Sequence, residues 1–173
     1  MSLLDVPIGQ GAPEIFNSVI EIPKGSINKY ELDKGTGLIK LDRVLYSPIF
    51  YPFDYGFIPQ TQGRDGDHLD VLVMLAHPTF PGCIVEARAI GVLLMRDEKG
   101  EDEKILAVAT RDPRFNNRKS IRDLNEHTLK EVNHFFTVYK ALEEKSVKVL
   151  GWKDEKTAIE VIERYRTDRV VAR

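Results

Sequence analysis

The spacing of apolar residues changes partway along this chain, and the change divides it into a strand-rich part and a helical part. Val19, Ile20 and Ile22 predict a strand over residues 15–22, stopped by Pro23-Lys24-Gly25. Tyr30 to Asp33 and Leu38 to Leu45 flank Lys34-Gly35-Thr36-Gly37 and predict a hairpin. A short apolar strand follows over 69–75, and two more over 83–95 and 104–109 are joined by a polar turn from Asp97 to Asp102. From about Asn125 the period becomes helical: Leu129, Val132, Phe136, Tyr139 and Glu143 recur on one side, widened by Phe135 and Leu142. Val147 to Leu150 predicts a last short strand. Asp154 then caps a second helix that carries Ile159, Ile162 and Tyr165 on one side. Strands first and helices last imply an α+β chain: a small, mostly antiparallel barrel with helices packed outside.

Composition narrows this picture. With 173 residues, 42% of them hydrophobic and 30% charged, the chain suits one globular domain over 1–173. The formal net charge of −2 supplies no global field for nucleic acid or an anionic membrane, so any polyanion must be held by a few local cations. One cysteine, Cys83, excludes an internal disulfide and Cys-rich metal sites. Residues 1–7 carry neither a basic segment nor a long apolar run, and no apolar stretch approaches twenty residues, so a cytoplasmic protein is expected.

Chemistry concentrates in Asp65-Gly66-Asp67-His68-Leu69-Asp70. Three carboxylates in six residues repel one another, and a hard divalent cation with oxygen ligands, Mg²⁺ or Mn²⁺, removes that penalty. The alternative is a solvated turn whose Asp side chains bond nearby backbone N–H groups. An EF-hand does not fit, since the spacing is 1, 3, 6 and Ala76 stands where its bidentate Glu belongs. A second acidic group, Asp97 and Asp102 with Glu98, Glu101 and Glu103, could converge on the first or be a solvated hairpin tip. Lys104 could balance these charges or touch an anionic ligand. Aromatics crowd residues 50–59, where Tyr51 and Tyr55 each carry a hydroxyl that needs a partner when buried. Lys29, and Arg43 across the predicted hairpin, are cations able to share the charge of a phosphate-rich ligand with metals. Tyr139-Lys140 lies on the helix, with Tyr139 on its apolar stripe. His134 is read as a partly buried packing residue, and Arg111 to Arg122 as a solvated basic loop with nucleic-acid contact as the alternative. Walker, Rossmann, His-Glu-x-x-His and nucleophile-elbow motifs are missing.

Together these motifs resemble the soluble family I inorganic pyrophosphatases, through essentially the whole chain. The signature Asp-x-Asp-x-x-Asp followed by an apolar residue is met by Asp65 to Val71. Its context is met by Glu21-Ile22-Pro23, Lys29-Tyr30-Glu31, Asp42-Arg43, Tyr51-Pro52 with Tyr55 to Pro59, the Asp97 to Lys104 turn, and His134-Phe135-Phe136 ahead of Tyr139-Lys140. The resemblance implies a closed five-stranded, OB-like antiparallel barrel with additional strands and two flanking helices. It implies a principal Mg²⁺ on Asp65, Asp70 and Asp102, with Mn²⁺ or another divalent ion as substitute. Further ions would be held by Asp97, with Glu21 and Glu31 in support. Asp67 would orient or deprotonate the attacking water; Lys29, Arg43, Tyr55, Tyr139 and Lys140 would bind phosphate oxygens; Tyr51 and Lys104 would line the site. The expected partner is inorganic pyrophosphate, with neither nucleic acid nor membrane, in a homo-hexamer. Two positions depart from the family pattern: His68, where Pro or Glu is usual, and Asp54, where many relatives carry Asn, which is expected to add negative charge beside Tyr55. The rival readings are an OB-type nucleic-acid module, disfavoured by carboxylates where phosphate-tracking cations belong, and a metal-dependent phosphatase of organic phosphates.

Overall fold

The computed structural model describes residues 2–168. In chain order the elements are β1 (Ile15–Ile22), β2 (Asn28–Asp33), β3 (Leu38–Val44), β4 (Asp54–Ile58), β5 (Leu69–Met74), β6 (Ile84–Asp97), β7 (Gly100–Ala109), α1 (Glu126–Val138), β8 (Lys148–Asp154) and α2 (Glu155–Tyr165). Pairing runs β1–β4–β5–β7–β6, and β6 pairs again with β1, so five strands close a ring. Four of those pairings are antiparallel. The β5–β7 pairing is parallel, the exception in a mostly antiparallel barrel: β6 and β7 form a hairpin, and β6 must reach β1 to close the ring, leaving β7 to run beside β5. β8 lies along the far half of β6, pairing Gly91 with Asp154, while β2 and β3 form a separate hairpin.

The barrel strands are buried on both faces, and alternate residues enter two different cores. Val71, Val73, Ile105 and Ala107 pack with Ala158, Val161 and Ile162 of α2. Leu72, Met74, Leu106 and Val108 pack with Val132, Phe135 and Phe136 of α1. Two-faced burial turns the pattern of alternation into a continuous apolar run, which is why 69–75 is recognisable by composition. β4 was not anticipated; its Asp-Tyr-Gly-Phe-Ile is buried at all five positions and shows no period. It lies against β1 at Gly56, where an added Cβ would stand 1.9 Å from the Val19 carbonyl oxygen. α1 starts at the cap Asn125 but ends at Val138, short of the predicted stripe. A 3-10 turn over Ala141–Glu143 follows, so Leu142 swings outward and Glu143 turns in toward Arg43. His134 is exposed, against expectation. α2 is capped by Asp154 as predicted, its side chain accepting from the Thr157 N–H. Among the described residues no helix is long and apolar enough to cross a membrane.

Candidate active site

A cleft of about 500 Å³ opens where four parts of the chain meet: the loop between β4 and β5, the tip of the β6–β7 hairpin, the end of α1, and the β2–β3 hairpin. The loop bends at Gly66, which has φ +84°, and is tied by the Gly63 N–H to the Asp67 carbonyl and by the Asp67 N–H to the Asp65 side chain. Asp70 then enters β5 directly opposite Lys104 of β7. Asp102 lies two residues before Lys104 on β7, so both side chains leave the same side of that strand. The Lys104 ammonium, 3% exposed, stands 2.6 Å from Asp70 and 3.0 Å from Asp102 and donates to the Tyr55 hydroxyl at 3.0 Å. Burial would lower its pKa, but the charges of Asp102 and Asp70 outweigh that and hold it well above the usual lysine value.

The other predicted residues reach the cleft from separate elements. Asp97, ending β6, accepts from Lys140 at 2.9 Å and from the Lys99 N–H. Burial opposes its ionisation, yet those bonds keep its carboxyl below the usual range. Tyr139 caps α1 and so delivers Lys140 to the cleft. Lys29 and Arg43 are cross-strand partners on the β2–β3 hairpin. Lys29 pairs with Glu31 and Asp42, and Arg43 with Asp42 and Glu143. Glu21 accepts the Leu32 N–H at 2.7 Å, but burial pushes its pKa up to about 8, helped by the charges of Asp70 and Glu31.

Thus Glu21, Lys29, Glu31, Arg43, Tyr55, Asp65, Asp67, Asp70, Asp97, Asp102, Lys104, Tyr139 and Lys140 all face one cleft. Tyr51 does not line it. Its ring lies behind Tyr55 and Phe135, with centroids 5.3 and 4.7 Å away, so it supports the wall. Asp54 does not charge the site either. Adjacent strand residues face opposite ways, and Asp54 is fully buried, accepting from the Lys24 N–H and from Thr79. His68 lines the cleft but is committed structurally: its ring stacks on Phe57 and its Nδ1 lies 2.8 Å from the Thr61 carbonyl oxygen.

Sequence reasoning missed Arg64 and the part played by Tyr165. The Tyr165 hydroxyl donates to Glu103 at 2.6 Å and accepts from Arg64, which also pairs with Glu101, so the end of α2 is stapled to the loop. A cation directly before the aspartates was the available signal for Arg64. Tyr165 read as core because it lies on the apolar side of α2.

Residues 18–169 match the family model described as inorganic pyrophosphatase. The chain belongs to the inorganic pyrophosphatase family. It is 51% identical over 164 residues to the inorganic pyrophosphatase of Thermus thermophilus, covering 93% of this chain and 94% of that protein. It is 49% identical over 159 residues to soluble inorganic pyrophosphatase 1 of Arabidopsis thaliana, covering 92% and 75%. The solved Thermus thermophilus inorganic pyrophosphatase superposes with a TM-score of 0.92 at 49% identity, over 94% of this chain and 95% of that one.

The cleft also answers whether a metal suits this member of the pyrophosphatase family. Ten carboxylates and seven Lys or Arg side chains line it, so a polyanion entering alone would meet net negative charge. Apart from the His68 ring, which is tied to Thr61, the donors on offer are hard oxygens, the set that Mg²⁺ and Mn²⁺ prefer. At Glu21 burial outweighs the Leu32 hydrogen bond, and neither that bond nor the charge of Lys29 brings its carboxyl back to the usual range beside Asp70. The donor chemistry suits a divalent metal, while among the described residues no three acidic or histidine side chains converge on one point and Lys104 stands between Asp70 and Asp102.

Proposed function

We propose that this chain hydrolyses inorganic pyrophosphate to two orthophosphates, by direct in-line attack of water on one phosphorus and without a phosphoenzyme. The observation that carries the reading is the charge pattern of the cleft: a net acidic, carboxylate-rich donor set faced by Lys29, Arg43 and Lys140. Metal dependence goes with the family, and Mg²⁺ is the ion proposed here. Asp65, Asp70 and Asp102 would hold the principal ion, and Asp97, Glu21 and Glu31 the further ones. Bound there, divalent metal would offset phosphate charge and make water easier to deprotonate.

The protein's own groups do the rest. Asp67 accepts the proton of the attacking water as the new P–O bond forms and the bridging P–O bond breaks. Lys29, Arg43 and Lys140 bind phosphate oxygens and stabilise the leaving orthophosphate, with the hydroxyls of Tyr55 and Tyr139 beside them. Burial raises both tyrosine pKa values, so each hydroxyl keeps its proton and acts as a donor. Lys104 fixes the spacing of Asp70 and Asp102. Residues 1–173 act as one domain, in the cytoplasm, as a homo-hexamer.

The test is orthophosphate release from pyrophosphate with Mg²⁺, with chelator, and by Asp67→Asn. Release that requires the metal and falls by roughly 10²-fold or more in the variant, at unchanged circular dichroism, is expected. A variant at the wild-type rate removes Asp67 from the mechanism. Faster release from ATP or a phosphomonoester than from pyrophosphate, under Mg²⁺ or Mn²⁺, would favour the organic-phosphate reading. Light scattering checks the six-fold mass.

A further inference from the structure

The loop that carries Asp67 receives a cation from outside the barrel. Lys34 lies in the turn between β2 and β3, and its ammonium donates to one Asp67 carboxylate oxygen at 2.7 Å and to the Gly66 carbonyl at 3.4 Å. The turn that presents it is internally braced. The Asp33 carboxylate accepts from the Thr36 N–H at 2.7 Å and the Thr36 hydroxyl at 2.9 Å, and the Gly37 N–H donates to the Asp33 carbonyl at 2.7 Å. The carboxylate loop is tied through its backbone N–H groups, but the Asp67 side chain itself has less to hold it. The Asp67 side chain is 59% exposed, and nothing lies within 4 Å of where a Gly66 Cβ would be. Among the described residues no other hydrogen bond reaches the Asp67 carboxylate.

The direction of approach matters. Lys34 is absent from the lining of the main cleft but lines a side recess of about 130 Å³, shared with Asp67, Asp70, Glu21 and Glu31. It therefore meets Asp67 through that recess rather than from the main cleft. One carboxylate oxygen is engaged, and the other is left for the cleft.

We propose that Lys34 is a positioning residue for Asp67, and that through it the hairpin bearing Lys29 and Arg43 is held in register with the carboxylate loop. The inference rests on the pyrophosphatase reading and on Asp67 as proton acceptor. An ion pair this exposed adds little to stability. Its effect is on geometry, because displacement of a reacting group by an ångström or so costs far more in rate than in folding.

The experiment compares Lys34→Ala and Lys34→Arg in the wild-type and Asp67→Asn backgrounds, at saturating Mg²⁺, reading kcat and KM for pyrophosphate together with the melting midpoint. Lys34→Ala is expected to lower kcat roughly tenfold with KM and midpoint nearly unchanged, and Lys34→Arg to recover most of the rate. On Asp67→Asn, Lys34→Ala is expected to change the residual rate by less than about twofold, since the proton acceptor it positions is gone even though an amide oxygen still accepts from Lys34. Amide exchange at Gly63, Gly66 and Asp67, measured in the metal-free protein, is expected to quicken in Lys34→Ala and not in Lys34→Arg. That readout stands even where the Asp67→Asn rate falls below detection. An unchanged kcat, a raised KM at constant kcat, equal losses in both backgrounds, or unaltered loop exchange each overturn the proposal. Wild-type protein that releases no phosphate overturns the enzymatic reading instead, while the exchange data still report whether Lys34 orders the loop.

Discussion

Replacing Lys104 with methionine keeps most of the side-chain volume and removes the charge. In the native protein that ammonium serves Asp70, Asp102 and the Tyr55 hydroxyl, and it lies 5.4 and 5.3 Å from the ring centroids of Tyr55 and Phe136. Removing one partner of a buried ion pair costs about 3–5 kcal/mol, because the other charge is left uncompensated. Asp70 and Asp102 are 32% and 26% exposed, so water screens part of that, and a loss of about 2–3 kcal/mol is expected. For a chain of this length each kcal/mol moves the midpoint by about 2–4 °C, so the melt in chelator should fall by roughly 4–12 °C. The assay is thermal unfolding at fixed protein concentration, in chelator and in Mg²⁺. The added metal gives both carboxylates another cation, so the gap between variant and wild type should narrow. An unchanged midpoint in chelator, or a gap indifferent to Mg²⁺, would refute the account of Lys104 as the counter-charge of this cluster.

Two further outcomes follow from the site and the sheet. Burial raises the Glu21 pKa from 4.5 to about 8, so its protonated native form contributes stability that is complete below pH 4.5 and lost as pH rises through about 8. In chelator Glu21→Gln should match wild type at pH 4 and exceed it by about 4 kcal/mol at pH 8, as an upper limit. Urea unfolding at both pH values checks this, and equal stability at pH 8 contradicts it. Gly56→Ala should cost about 3 kcal/mol or more, since the new Cβ meets the Val19 carbonyl at 1.9 Å and the Ile20 Cα at 2.8 Å, neither able to yield without moving β1. A thermal midpoint within 2 °C of wild type, about 0.5–1 kcal/mol, would show that β1 and β4 can separate there.

How much of the site was readable depended on how local its signals are. Asp65, Asp67 and Asp70 stand out because six residues hold them, and the helical period put Tyr139 on the apolar stripe, though α1 ends one residue before it. β4 stayed hidden because burial on both faces removed its alternation. The start of β7 read as loop because Glu101, Asp102 and Glu103 are polar where that strand borders the cleft. Asp54 looked like an active-site charge from its place beside Tyr55, and only the strand's pleat turned it toward Thr79.

The sequence by itself determined the class of elements, the family and the chemical type of the cluster, since period, turn residues and charge spacing are local properties of the chain. Tertiary structure decided which charges meet. Lys34 and Asp67 are 33 residues apart and Glu103 and Tyr165 are 62 apart, and the β1–β6 pairing that closes the barrel joins Phe16 to Ala87. No local propensity encodes such contacts. They exist because burying both faces of the strands forces the ring to close, and closing it brings one loop, one hairpin tip and one helix end to a single cleft.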